Sequence, residues 1–245
     1  MHFASEQRLD DGILEREFTL GEVPGMLWTA GSAIAPAPLI LLGHPAGLGL
    51  RRMYPRLLAR ARHAVADGFA AATIEHPWNG DRPRSAAAEQ ARADLRRTLE
   101  AGDPVDDELV DRLILPLVDQ SVPEWQATLD ALLALPEIGG PVAYSGGVIS
   151  IGTRLAVVEP RISAAVLFAG SFVPRAIIEE ARQVAIPLLV LLQWDDEGND
   201  RQHALDLFDA FGSKEKSLYA NMGGHTGVPE FAGAEAGRFF ARHLK

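Results

Sequence analysis

Leu39-Ile40-Leu41-Leu42-Gly43-His44-Pro45-Ala46-Gly47-Leu48-Gly49 is the stretch that decides the fold. Its apolar residues run on without alternation and then break into a glycine-rich loop carrying a histidine. A strand with one wet face alternates apolar and polar residues. An unbroken apolar run bounded by turn residues instead fits a strand covered on both faces, as in a parallel sheet. The same pattern returns at residues 69–74, 142–144, 164–168 and 187–192, and residues 216–220 read as a further edge strand. Ahead of these, residues 14–20 and 25–29 have period-2 character and flank Gly21-Glu22-Val23-Pro24, so an antiparallel pair opens the fold.

Helical spacing fills the gaps. Leu57, Leu58, Ala61 and Val65 share a face in 52–67, and Leu205, Leu207, Phe208 and Phe211 in 200–211. Phe231, Ala234, Phe239 and Phe240 mark a closing helix. Strands alternating with helices predict an α/β architecture: a mostly parallel central sheet with helices on both faces. Residues 84–136 break the alternation, with no strand and three amphipathic patterns. The first contains Ala91 and Leu95, the second Leu109 and Leu113, and the third, opened by Pro123, contains Trp125 and Leu129. The segment is expected to be a helical cap or a set of crossover helices within a single domain spanning 1–245. Its charged run at 89–97 reads as a solvated helix face.

Composition narrows the function. The chain has 245 residues, 47% of them hydrophobic, and a net charge of −10 from 23 Lys+Arg against 33 Asp+Glu. The apolar content excludes a disordered chain. No apolar run approaches the roughly 20 residues of a membrane span. The acidic balance argues against nucleic acid or an anionic membrane as partner, so a small-molecule substrate is expected, with the oligomeric state left open. Cysteine is absent, which removes disulfides, thiolate nucleophiles and Cys-ligated metals. No basic n-region followed by an apolar h-region opens the chain, so a cytoplasmic location is the expectation. No Walker loop, HExxH or EF-hand loop occurs, and neither a metal nor another cofactor is implied.

In an open parallel sheet, ligands bind beyond the carboxyl ends of the strands. The segments just past the predicted strands are 43–49, 75–82, 145–153, 193–197 and 221–227. They carry serines, then Asp195 and Asp196, then His225, which is the chain order of an α/β-hydrolase triad. On Leu41 to His44, residues 75–82, Val157-Val158-Glu159-Pro160-Arg161-Ile162, residues 193–197 and Gly223-Gly224-His225, the chain resembles the α/β-hydrolases of the dienelactone-hydrolase-like branch over nearly its whole length. The resemblance implies that Asp196, followed by Glu197, orients His225; Asp195 is the neighbouring alternative. His225 would be the general base, and its unperturbed pKa suits that task near neutrality. Trp78, Trp125, Trp194 and Met222 are candidates for an apolar pocket wall.

The nucleophile has three readings. An elbow needs small residues two positions either side of the serine. Ser150 has Gly152 at +2 and a helix-like run behind it, but Val148 at −2. Ser145 has Ala143 and Gly147 at those positions but lies close to the strand. Counting forward from the strand puts Val148 itself at the tip, and then no serine nucleophile exists. With Ser150 as nucleophile, the oxyanion hole would use the Ile151 N–H and an amide of the 43–49 loop. Pro45 has no N–H, which leaves Ala46 or Gly47, and Ala46 is the expected donor. The resulting expectation is a Ser150–Asp196–His225 hydrolase of a small ester, lactone or thioester, working through an acyl-enzyme. The alternative with Val148 at the elbow is a lyase, cyclase or isomerase using His225 and Asp196, or a non-catalytic binder.

Overall fold

The computed structural model describes residues 1–31, 35–225 and 228–245. The chain opens with β1 (His2–Arg8), β2 (Ile13–Leu20) and β3 (Val23–Ala30), which form an antiparallel meander. β4 (Ala37–Gly43), α1 (Leu50–Ala66) and β5 (Ala70–Ile74) follow, then α2 (Ala86–Ala101) and α3 (Asp107–Leu133). The second half alternates as β6 (Ile138–Gly146), α4 (Ile149–Val158), β7 (Ile162–Phe168), α5 (Arg175–Ala181), β8 (Leu188–Gln193), α6 (Arg201–Ala210), β9 (Lys216–Asn221) and α7 (Glu230–Leu244).

One sheet joins them in the order β1-β2-β3-β5-β4-β6-β7-β8-β9. The links from β1 to β5 are antiparallel and those from β5 to β9 parallel. The unbroken apolar runs are the parallel strands: all five residues of β5 and all six of β8 are buried. Two apolar clusters cover the two faces. One holds Leu39, Leu41, Trp125, Leu129 and Tyr144 with α3, α4, α5 and α6. The other holds Ile40, Leu42, Leu57 and Phe240 with α1 and α7. Leu39 and Leu41 face one cluster and Ile40 and Leu42 the other, so period-2 geometry drives a continuous apolar run into two cores.

The region 84–136 differs from the three helices expected. The second and third patterns are one helix, α3, which passes through Pro116 and Pro123. A proline removes an N–H and frees the carbonyl four residues earlier. Here both prolines lie on the exposed face, and the freed carbonyls belong to the exposed residues Arg112 and Asp119, where water can serve them. α3 packs on α4 and β6 and carries the chain from β5 to β6 across the intervening β4. α2 rests on α3 and fully buries only Ala91. Ser85 caps α2 by accepting from the Ala88 N–H, and Asp106 caps α3 by accepting from the Leu109 N–H. β1 and the short α5 carry no signal that the sequence patterns picked out.

Among the described residues no helix is long and apolar enough to cross a membrane. No group of three or more His, Cys, Asp or Glu side chains is gathered as a metal site among them.

Trp125 is fully buried with its ring edge-on to Tyr144 at 5.9 Å, and it docks α3 against β6. Trp125→Ala should destabilise the protein by about 3–5 kcal/mol, the usual cost of emptying an aromatic core site. Urea unfolding of the two proteins measures this.

Candidate active site

The parallel strands end on one edge of the sheet, and the polar loops gather there. β8 runs out at Gln193, and the turn behind it presents Asp196. Asp196 is an Asx turn: its Oδ1 accepts from the Gly198 N–H at 3.0 Å. Its Oδ2 accepts from Asn199 Nδ2 at 2.8 Å and pairs with His225 Nδ1 at 2.7 Å. The carboxylate is almost closed off, at 4% exposure, whereas the imidazole is half exposed at 51%. Burial alone pushes the Asp196 carboxyl up. The hydrogen bonds from His225, Asn199 and the Gly198 N–H outweigh it and hold the group below the usual carboxylate value. Asp195 is exposed and takes no part in this network. Asn199 and Gly198 were not singled out from the sequence. The signal was present as Asp-x-Gly-Asn, the composition of a side-chain-closed turn.

His225 follows β9, with the Phe168 ring of β7 edge-on at 6.0 Å. Its Nδ1 pairs with Asp196, and the Asn199 amide nitrogen, which donates to the same Asp196 oxygen, lies 3.4 Å from it. Thr226 and Gly227, which complete the loop read from the sequence, lie outside the described residues. No hydrogen bond or ion pair among the described residues links 84–136 to His225 or Asp196.

The turn from β6 into α4 is where the serines stand. Gly146 and Gly147 both have positive φ, +75° and +72°. Together they reverse the chain, so Val148 sits in ordinary extended geometry at φ −75° as the N-cap of α4. The β-branched residue therefore carries no strain at the tip, because the glycines take the left-handed conformation. Ser150 falls in the first turn of α4, fully buried, and its Oγ has no hydrogen-bond partner. No hydrogen bond joins it to His225. Ile151, taken from the sequence as an oxyanion donor, uses its N–H to close the helix onto the Val148 carbonyl at 3.0 Å. The amide that follows the tip is that of Ile149, which as the first helical residue has no intrahelical acceptor. Ser145 is bound at its Oγ by Arg60 at 3.1 Å, which makes it part of the support of the turn.

Across from this turn, the 43–49 loop rests on a buried polar layer. Asn79 Oδ1 takes the Gly47 N–H at 3.2 Å, while the Ala46 N–H has no partner among the described residues. Glu75 accepts from the Leu50 N–H at 2.8 Å and caps α1, whose N-cap, Gly49, has no side chain to do so. Arg82 anchors the second loop through the Glu75 carbonyl and both oxygens of Glu124. The His44 and His76 rings lie 4.3 Å apart, with His76 Nε2 at 2.8 Å from the His44 carbonyl. Burial lowers the pKa of both histidines, His76 well below the ordinary value. Trp78 in this layer holds a left-handed φ of 61°, a costly conformation for a bulky residue, and its carbonyl accepts from Arg84. Trp78 and Trp194 are partly buried beside the core and Met222 is open to solvent, whereas Trp125 is core.

No protein-family model and no curated protein matches the sequence. Solved structures do match. A cold-adapted esterase from an Arctic intertidal metagenomic library, in a PEG-bound complex, superimposes over 100% of both chains with a TM-score of 0.78 and 26% identity. The chain has the α/β-hydrolase fold. Two more distant matches bear on the fold alone. One is an acetyl xylan esterase from Paenibacillus sp. R4, at TM-score 0.66 and 14% identity over 99% of this chain and 88% of that one. The other is a dienelactone hydrolase from Anabaena variabilis, at 0.61 and 19% over 98% and 99%.

The two buried histidines give the hydrolase fold an acid-sensitive layer. Burial disfavours their protonated forms in the folded protein, whereas in the unfolded chain histidine takes up a proton near pH 6.5. Their contribution is therefore complete above about pH 6.5 and is lost as pH falls below it, by up to about 1.4 kcal/mol per pH unit for each. Glu75, whose carboxyl burial raises, acts in the opposite sense at lower pH. The melting temperature should drop between pH 7.5 and 5.5, and His76→Gln should flatten that drop. Calorimetric scans across the range check both.

Proposed function

We propose that this protein hydrolyses a small carboxylic ester, with His225 as the base and Asp196 as the group that orients it. The observation that carries this reading is the His225–Asp196 pair at 2.7 Å, its imidazole half open to solvent at the carboxyl edge of the sheet. The esterase that matches over the full length supports the reaction class.

Val148 caps α4 and neither Ser145 nor Ser150 is hydrogen-bonded to His225, so the reading these contacts favour is direct attack by water. The imidazole, its Nδ1–H held by Asp196, takes a proton from water on Nε2 as the oxygen bonds to the ester carbon. The carbonyl electrons move onto oxygen, where the N–H groups of Ala46 and Ile149 are the available donors. Collapse breaks the carbon–alkoxide bond, and the leaving alkoxide recovers the proton from Nε2. Asp196 stabilises the imidazolium between these steps. A second reading keeps the acyl-enzyme. Ser150 Oγ lies unpartnered only two residues behind the tip, and a shift of the first turn of α4 would make it the nucleophile.

Turnover of p-nitrophenyl acetate should fall about 10²–10⁴-fold in His225→Ala. It should fall less in Asp196→Asn and stay close to wild type in Asp195→Asn. A fluorophosphonate should leave the intact mass unchanged, and Ser150→Ala should stay within a few-fold of wild type. A stoichiometric adduct lost in Ser150→Ala, together with loss of turnover, would establish the acyl-enzyme instead. Turnover independent of His225 would overturn both readings.

A further inference from the structure

Arg60 of α1 reaches under the site and meets only neutral oxygens. Its Nη1 donates to the Gly43 carbonyl at 2.7 Å. Its Nη2 donates to the Ser145 carbonyl at 2.5 Å and to Ser145 Oγ at 3.1 Å. These oxygens belong to the ends of β4 and β6, whose parallel ladder finishes with Gly43 beside Gly146. No carboxylate pairs with Arg60 among the described residues, although most other buried or half-buried arginines, such as Arg16, Arg82 and Arg154, have one. Burial pulls its pKa down to about 10, which still leaves it charged at neutral pH.

Each strand end leads within a few residues to one of the two free amides. Gly43 runs through His44 and Pro45 to Ala46, and Ser145 runs through Gly146, Gly147 and Val148 to Ile149. The turn is also built around the guanidinium: a Cβ on Gly146 would lie 2.9 Å from Nη2, and Gly146 already has a φ of +75°.

We propose that Arg60 is a positioning residue, whose fork ties the ends of β4 and β6 together and so fixes the spacing of the Ala46 and Ile149 N–H groups that receive the oxyanion. The inference rests on the ester-hydrolase reading for the oxyanion, but the tie itself does not. A planar fork can serve two carbonyls in fixed directions, whereas a lysine ammonium is a single point that cannot reach both with the same geometry. Two amides aimed at developing charge lower the barrier without altering ground-state binding much.

The test uses Arg60→Met and Arg60→Lys with two readouts. With p-nitrophenyl acetate, kcat should fall tenfold or more in Arg60→Met and by an intermediate factor in Arg60→Lys. KM should stay within threefold, and the acid limb of the pH profile should stay in place because His225 is untouched. Amide exchange at 43–49 and 146–149 should quicken at least tenfold in both variants, with 193–199 unchanged. Should Arg60→Met not fold, Arg60→Lys decides alone. A folded variant with kcat within threefold of wild type and unchanged exchange at both loops overturns the proposal. If wild-type turnover does not depend on His225, the ester-hydrolase reading fails and the exchange measurement still decides the tie.

Discussion

Two consecutive glycines at the end of β6 set where α4 begins, and the character of the site follows from that start. Gly146 and Gly147 take left-handed backbone that a side chain resists, and a Cβ on Gly147 would approach the Cα of Gly43 to 2.8 Å. The reversal is therefore complete before Val148. α4 then winds from Ile149, and Ser150 in its first turn is fully buried. Among these features, the hydroxyl left inside without a partner is the one at odds with the rule that buried polar groups are satisfied.

The carboxyl edge of the sheet is stiffened from below. Glu75 caps α1, Arg82 ties the second loop to α3 through Glu124, and Arg60 joins the ends of β4 and β6. Each group serves backbone atoms of loops that would otherwise have few partners, and each depends on burial for its strength, since hydrogen bonds to charged groups gain in a medium of low polarity. Such a layer costs desolvation, visible in the depressed basicity of His44, His76 and Arg60 and the raised carboxyl of Glu75. In the ester-hydrolase reading, the same layer holds backbone amides in place before a substrate arrives, as fixed dipoles must be to act on developing charge.

The His225–Asp196 pair is built on a different principle. Its carboxylate is enclosed and saturated by three N–H donors, and its imidazole is half exposed, with no partner at Nε2 among the described residues. The order of burial, carboxylate inside and ring outside, suits a group that orients and a group that exchanges protons. Phe168 bounds the ring on one side and gives it an apolar wall.

The sequence by itself determined the layer architecture, because unbroken apolar runs such as 39–42 and 187–192 fit only strands buried on both faces. It also determined the loops that matter, because polar residues cluster where those runs stop, and the resemblance to the α/β-hydrolases implied Asp196, with Asp195 as the alternative, as the partner of His225. The tertiary structure decided what depends on single-residue register. Where α4 begins turns on how much chain Gly146 and Gly147 consume, and glycine, free to adopt either sign of φ, leaves that unwritten in the local sequence. The merging of two helical patterns into α3 was likewise a packing outcome: the helix continues through Pro116 and Pro123, whose freed carbonyls belong to exposed residues that water can serve, and its buried face packs against the core. The contacts of Arg60 join β4 to β6 across about a hundred residues of chain, and no local pattern records such a contact.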